Sequence, residues 1–456
     1  MSIARRPDEI VRKALSAFDP SEVSPIGSHE PSLAERLNHG CFCVTLDRDA
    51  LAIEFDREVG VKGFAGALAE SHPLLFSNSP VFVPAEAMDQ MARVVTAVEA
   101  ATKLSGYREA ALSWAEPVAR RDFGPVGALM GYDFHLTDDG PRLIEVNTNA
   151  GGAFLIAPLA RSQRACCAPA LWGADLPDFA DKMAAMFAEE WACQRGGGRP
   201  GSIAIIDDDP GAQNLLPEFR LAQSLLRTHG METFIADPRD LTRSDTGLSL
   251  EGKPIDLIYN RLTDFAFEHA DHAVLREAYE LGSVVVTPNP HNYALFADKR
   301  NLTLICDQNR LSAWGLGVGH LAALRRTSLP TLRVASANAE MLWKERRRWF
   351  FKPARGYASK AAYRGEKLTR RVWEEILSGD YVAQSYARPG SRFVRIEGSP
   401  AELKVDVRLY TYNGLVLLAA ARLYRGQTTN MRTPGGGFAP VLIVPGPQVA
   451  LETPTN

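Results

Sequence analysis

The rhythm of apolar and polar positions changes three times along this chain. The first part is mixed: CFCVTLD at 41–47 and the run at 80–83 read as strands, and 85–105 reads as a helix. The run Gln194-Arg195-Gly196-Gly197-Gly198-Arg199-Pro200-Gly201 then breaks the pattern, because glycine and proline at that density cannot continue a helix or a central strand. After it, short apolar runs (SIAIIDDDP, METFIADP, IDLIYNRL, GSVVVTPNP) alternate with helical stretches, NLLPEFRLAQSLLRTHG and 268–281. That alternation predicts a small open α/β domain over about 200–295. In the last third WFFKP, DYVAQSY, ELKVDVRLYTY and GLVLLAAARLY read as strands, with Asn413-Gly414 as a hairpin turn, so this part is expected to be antiparallel sheet with helices beside it.

A chain of 456 residues is too long for one core. The class is α/β (α+β), and three domains are expected: 1–195, 196–295 and 296–456. The first 75 residues carry few signals and are expected to pack around the others. The net charge of −3 gives no general pull toward nucleic acid or anionic membrane, so an anionic ligand must be caught by a local group of basic residues. Lys344-Glu345-Arg346-Arg347-Arg348 reads as a solvated helix end, not a nucleic-acid patch. No signal peptide is recognised and no run of about 18 apolar residues is present to span a membrane. The six cysteines, at 41, 43, 166, 167, 193 and 306, form no CxxC pair, which suits a reduced, cytoplasmic enzyme. Cys41 and Cys43 are expected in a half-buried strand and not at a metal.

The candidate chemistry begins at RLIEVNTNAGGAF, 142–154. Along a strand, Glu145 and Asn147 share a face, and Asn149 would continue it. Upstream, GYDFHLTDDGP supplies a turn at Thr137-Asp138-Asp139-Gly140. A hairpin centred near Asp139 sets Asp133 opposite Glu145, so two carboxylates and an amide oxygen converge. These are hard ligands suited to Mg²⁺ and not to zinc. An exposed hairpin with solvated acids is the bland alternative; the apolar Leu143-Ile144-Val146 neighbours and the Gly151-Gly152 exit weigh against it. Lys352 in WFFKP, Lys299 in LFADKRN, the Lys404/Asp406/Arg408 series at spacing two, and Arg422 and Arg425 beyond the hairpin together form a cradle for a Mg-nucleotide triphosphate.

These residues resemble the ATP-grasp superfamily of carboxylate–amine ligases, over roughly 80–160 and 290–440. Most such enzymes carry the acid–amide strand near the end of the chain. Here it precedes the lysines, which resembles the circularly permuted order of eukaryotic-type glutathione synthetase and glutathionylspermidine synthetase, with 196–295 as an inserted substrate domain. IEVNTNAGGAFLIAPLARSQ and PNPHNYALFADKRN carry the likeness most strongly.

The resemblance implies that Asp133, Glu145 and Asn147 bind Mg²⁺ and that Lys299 and Lys352 contact ATP phosphates. Ala354–Lys360, with Gly356 and Ser359, would cover the phosphates; Gln384 and Tyr386 would line the adenine pocket. Asp406 and Arg408 match a DxR strand, and Asn430 with Gly435-Gly436-Gly437 matches the segment near the transferred phosphate. The loop ARGYASK departs from the family in holding one glycine, with no metal-binding glutamate where Gly356 stands. A two-residue turn at 413–414 sets Arg425 on the Arg408 side, and Arg422 joins it only if a bulge intervenes; local sequence favours Arg422, so both stay candidates. For a substrate carboxylate the candidates are Arg261 at a strand end and Arg161 after the metal motif, each with a structural ion pair or a solvated face as the alternative.

The implied activity is ATP-dependent ligation of a small-molecule carboxylate to an amine through an acyl phosphate, on an amino acid or small peptide. A non-catalytic ATP-binding regulator on the same scaffold is the alternative, favoured by the glycine-poor loop. The oligomeric state is left open, with a homodimer among the options.

Overall fold

A computed structural model describes residues 31–163, 171–172, 178–244, 247–356 and 360–445. Its largest sheet has eight strands. The central path runs Val81–Pro84, Gly437–Val444, Leu415–Tyr424, Ser399–Tyr412, Met130–Thr137, Gly140–Asn147. Only the first pair on that path is parallel. Gly390–Ile396 pairs with the start of Ser399–Tyr412, and Leu171–Trp172 with Gly437–Val444. One face of the sheet is covered by helix Ala85–Thr102, whose Val94, Val95 and Val98 pack with Tyr132, Phe134, Val407 and Leu409.

The expected α/β segment forms a four-stranded parallel sheet, ordered Val285–Thr287, Leu257–Asn260, Ser202–Ile206, Glu232–Ala236. Its strands are apolar on both faces because both are covered. Ala204, Ile206, Ile258 and Val286 enter one core; Ile203, Ile205, Leu257 and Val285 enter another, shared with Phe154, Phe187 and Phe219. A three-stranded meander over Leu241–Ser244, Gly247–Leu250 and Lys253–Ile255 was not legible in the sequence.

A fourth sheet, antiparallel, orders Thr331–Arg333, Tyr381–Ser385, Trp349–Pro353 and Tyr363–Arg364 around Phe351, Trp373 and Ile376. It meets the hairpin edge of the large sheet: the Lys352 ammonium donates to the Ile144 carbonyl at 2.9 Å. The expected strand at 41–47 is not formed. Helix Leu33–Gly40 precedes it, and only an isolated bridge from Leu46 to Gln163 remains, with Cys41 buried and Cys43 exposed. Among the described residues no helix is long and apolar enough to cross a membrane.

Candidate active site

The hairpin Met130–Thr137/Gly140–Asn147 turns through Asp138-Asp139, with Gly140 at φ +96°. Thr137 pairs with Gly140 and Phe134 with Leu143; continued without change, this register would set Asp133 opposite Ile144. The register shifts between Asp133 and Phe134, and Asp133 pairs with Glu145. The juxtaposition expected from the sequence is present, and a bulge at Ile144 produces it. The Asn147 amide nitrogen lies 3.3 Å from Asp133 Oδ2 and 3.4 Å from Glu145 Oε1, so all three side chains converge.

The strand then stops. Gly152 has φ +112°, and a Cβ there would stand 2.5 Å from the Phe438 ring; a Cβ on Gly151 would meet Leu215 at 2.7 Å. The glycine pair lets the chain turn into helix Ala153–Arg161 under that crowding. The helix start is held by Glu218, whose Oε1 accepts from the Gly152 and Phe154 N–H groups at 2.8 and 3.4 Å. Asn149 leaves the metal face and donates to the Leu262 carbonyl at 3.0 Å.

On the adjacent strand Arg408 pairs with Asp133, and a second bulge decides the arginine question. Asn413 and Gly414 make the turn at φ +46° and +83°, but the register shifts between Tyr410 and Thr411. Arg408 therefore faces Ala420 in place of Ala419, and Asp406 faces Arg422. Arg422 joins the cluster: its Nη2 lies 2.8 Å from Asp133 Oδ2 and its Nε 2.6 Å from Asp406 Oδ1. Arg408 meets both oxygens of Asp133, Nε at 2.6 Å and Nη2 at 2.7 Å. Burial alone would raise the Asp133 pKa; the two guanidiniums outweigh it and hold the carboxyl well below the usual range. Arg425 is exposed, and its backbone N–H bonds to Thr433.

The lysines approach from the other sheet. Lys352 is buried and also donates to Gln384 Oε1 at 2.8 Å; burial lowers its pKa to about 8, with Glu145 opposing and Lys299 adding to the drop. Lys299 Nζ donates to the Gly356 carbonyl at 2.7 Å and stands 4.0 Å from Glu145 Oε2. Together these groups bound a cleft of about 920 Å³ that also takes in Tyr386, Asp406, Lys360 and Lys404. Arg364 lies 4.2 Å over the Tyr386 ring. Of the lining side chains, Lys299, Lys352, Lys360, Lys404 and Arg422 oppose Asp133, Asp406 and Glu145, so two positive charges are in excess, which suits a polyanion.

Besides Arg425, three candidate residues do not line this cleft, and Arg408 reaches it only through Asp133. Arg161 is taken by Glu54 and Glu58 in an ion-paired triad on the outer helices. Asn430 folds back on its own loop, donating to the Arg425 carbonyl and accepting from the Arg432 N–H and Thr433 hydroxyl. Arg261 is buried at the end of strand Leu257–Asn260, donating to the Tyr259 hydroxyl at 3.2 Å. Ser359 lies outside the described residues. Sequence reasoning missed His135, which lines the cleft two residues from Asp133 and points Nδ1 at the Ala387 carbonyl, 2.8 Å away. Strand alternation could have found it. It also missed Glu218, whose Oε2 is buried without a hydrogen-bond partner and carried no motif.

Among the described residues no cluster of three or more His, Cys, Asp or Glu side chains is arranged to hold a metal ion. Both Asp133 oxygens are occupied by arginine. Glu145 and Asn147 remain open toward the cleft. A hard carboxylate and an amide oxygen fit magnesium, which keeps most of its waters; the amide of Asn147 must turn over to present that oxygen.

No family model and no curated protein sequence matches the chain. Among solved structures it resembles the apo form of a glutathione synthetase-like effector from Globodera pallida, with 14% identity and a TM-score of 0.53, covering 88% of this chain and 98% of that one. A putative gamma-glutamylcysteine synthetase from Methylobacillus flagellatus KT matches at 13% identity and TM-score 0.45, over 80% of this chain and 89% of that one. An ATP-grasp ligase complexed with its precursor peptide and AMPPNP matches at 14% identity and TM-score 0.27, over 53% and 88%. At these identities the likeness is one of fold, and the first match carries it. The chain shares the fold of that glutathione synthetase-like effector.

Proposed function

We propose that this protein is an ATP-dependent carboxylate–amine ligase acting on an amino acid or small peptide. The observation that carries the proposal is the convergence of Asp133, Glu145 and Asn147 with Arg408, Arg422, Lys299 and Lys352 at one cleft. It lies where the hairpin edge of the eight-stranded sheet meets the antiparallel sheet that carries Lys352. We read the early position of the acid–amide hairpin as a circular permutation of the fold.

In the proposed reaction a substrate carboxylate oxygen attacks the γ-phosphorus of ATP and ADP leaves, giving an acyl phosphate. The amine nitrogen then attacks the acyl carbon, phosphate leaves, and the nitrogen gives up a proton. Lys299 and Lys352 hold the phosphates, and Gln384 and Tyr386 face the base. Glu145 and Asn147 hold magnesium, which when bound neutralises phosphate oxygens. Asp133 is assigned a different part from the one its motif implies: it positions Arg408 and Arg422, which meet charge growing on the transferred group. Arg261 is assigned to a substrate carboxylate.

The test is ADP and phosphate release from Mg-ATP against a panel of amino acids and dipeptides, with mass detection of products. ADP formation that requires one acid and one amine, with a product one water lighter than their sum, is the expected result. Tight Mg-ATP binding with no turnover on any pair would favour the regulator. Absence of Mg-ATP binding overturns both.

A further inference from the structure

A second, open cavity adjoins the cleft beside Lys299 and Gly356. The two share a wall of two chain segments. Asp298 and Arg355 line the second cavity, while the next residues, Lys299 and Gly356, line the first. The wall is stitched by the Lys299 N–H to the Ala354 carbonyl at 3.0 Å and by Lys299 Nζ to Gly356.

The cavity is short of positive charge. Of its acids, Asp298 is held by Arg300 and Asp264 by the ring of His272 at 2.8 Å. Glu116 and Glu268 share a single cation, Arg355, whose Nη1 lies 3.0 Å from one and 3.4 Å from the other. One guanidinium between two carboxylates leaves one negative charge.

The opposite side is aromatic. Phe265 and Tyr293 stack at 4.0 Å with an 8° tilt, and both line the cavity. Tyr293 starts a π-helical turn, Tyr293–Ala297, a distortion that concentrates at functional sites. It is 7% exposed, and its buried hydroxyl has no hydrogen-bond partner. Tyr293 lines the cavity, and Asp298, Arg355, Arg300 and Glu145 all act on its hydroxyl, so that group lies near the wall between the two pockets. An unmet buried hydroxyl is costly and marks a place for a ligand polar atom.

We propose that this cavity binds an organic cation, an ammonium on an apolar stem. The ammonium meets the charge that Arg355 leaves unmatched on Glu116 and Glu268, and the stem runs along the Phe265–Tyr293 pair, where the ring faces also favour a cation. Binding needs nothing from the ligase proposal. Where that proposal holds, the cavity takes a charged substituent of one of the two substrates.

The test is calorimetry on the full chain with n-pentylamine, and with 1-pentanol and pentanoate as neutral and anionic counterparts of the same stem. Pentylamine is expected to bind, more weakly as salt rises, and pentanoate not to bind. The double variant E116Q/E268Q is expected to weaken pentylamine about fivefold, as half-exposed charges do, while Mg-ATP affinity on the same protein stays unchanged. Arg355→Met, which frees both carboxylates, is expected to tighten it. Opposite shifts from the two variants distinguish a cation site from loosened structure. Equal binding of all three probes, no pentylamine binding by folded protein, or an unaffected double variant overturns the site. Loss of Mg-ATP binding in the unaltered chain would overturn the ligase proposal and leave this one standing.

Discussion

Asp133 and Arg408 sit opposite each other on neighbouring strands and form a two-point ion pair at 2.6 and 2.7 Å. Both are buried, and Arg422 closes the pair into a triad. Asp133→Asn removes the only charge that the two guanidiniums share and leaves them buried. The expected loss is about 3–5 kcal/mol in denaturant unfolding. Glu145→Gln acts on a side chain that is 28% exposed. It is expected to leave stability within about 0.5 kcal/mol while turnover falls at least about a hundredfold. Equal stabilities for the two variants would contradict the division of labour between a positioning Asp133 and a metal-facing Glu145.

The two arginines after the second hairpin separate by burial. Arg422 bonds to Asp133 and Asp406; Arg425 is exposed just past the end of strand Leu415–Tyr424. Arg422→Ala is expected to cost about a hundredfold or more in kcat. Arg425→Ala is expected to stay within about twofold, since surface substitutions away from such features change little. Steady-state ADP release on both variants decides it; comparable losses would mean that Arg425 swings into the cleft during turnover.

Element type was legible wherever one physical signal dominated. The parallel sheet announced itself through continuous apolar runs such as Ser202–Ile206, and the last hairpin through Asn413-Gly414. What could not be read were the bulges that set the register. The Asp133–Glu145 pairing and the Asp406–Arg422 pairing each depend on one extra residue in a strand. A bulge has no dependable sequence signature, yet it moves every later side chain to the other face. For the same reason the motif could show that Asp133 belongs to the site, and not that two arginines occupy it. Leu46 shows the converse failure: an alternating run that looks like a strand forms, among the described residues, only the isolated bridge to Gln163 and stays irregular.

A buried acid outside the cleft sets a pH limit on stability. Glu99, on the helix that covers the large sheet, is 7% exposed, and burial raises its pKa to about 7, against opposition from Lys103 and the Gly414 N–H. A carboxyl whose folded pKa lies above its unfolded value stabilises the fold most at low pH, and that contribution is lost as pH rises toward 7. The shift corresponds to roughly 3 kcal/mol. Glu99→Gln cannot ionise. Between pH 5 and pH 8 the unaltered protein is therefore expected to lose stability relative to the variant by about that amount, measured by urea unfolding at both pH values. Parallel pH profiles would show that Glu99 keeps an ordinary pKa.

Lys352 makes the nucleotide cleft pH-sensitive in the opposite direction. Burial drops its pKa to about 8, so the free protein carries the ammonium only in part above that pH. For folding, a lysine depressed in this way releases a proton between pH 8 and its unfolded pKa, and its presence costs less as pH rises through 8. For binding the sign reverses. A phosphate beside Nζ favours the charged form, so Mg-ATP must bring a proton with it above pH 8. Affinity is expected to fall by up to about tenfold per unit from pH 8 to 9.5. Calorimetry in two buffers of different ionisation enthalpy is expected to show net proton uptake approaching one. Lys352→Met should abolish that uptake together with most of the affinity. Affinity independent of pH across this range would show that Lys352 is fully charged before the nucleotide arrives, and that the charge of Glu145 offsets its burial more completely than the geometry implies.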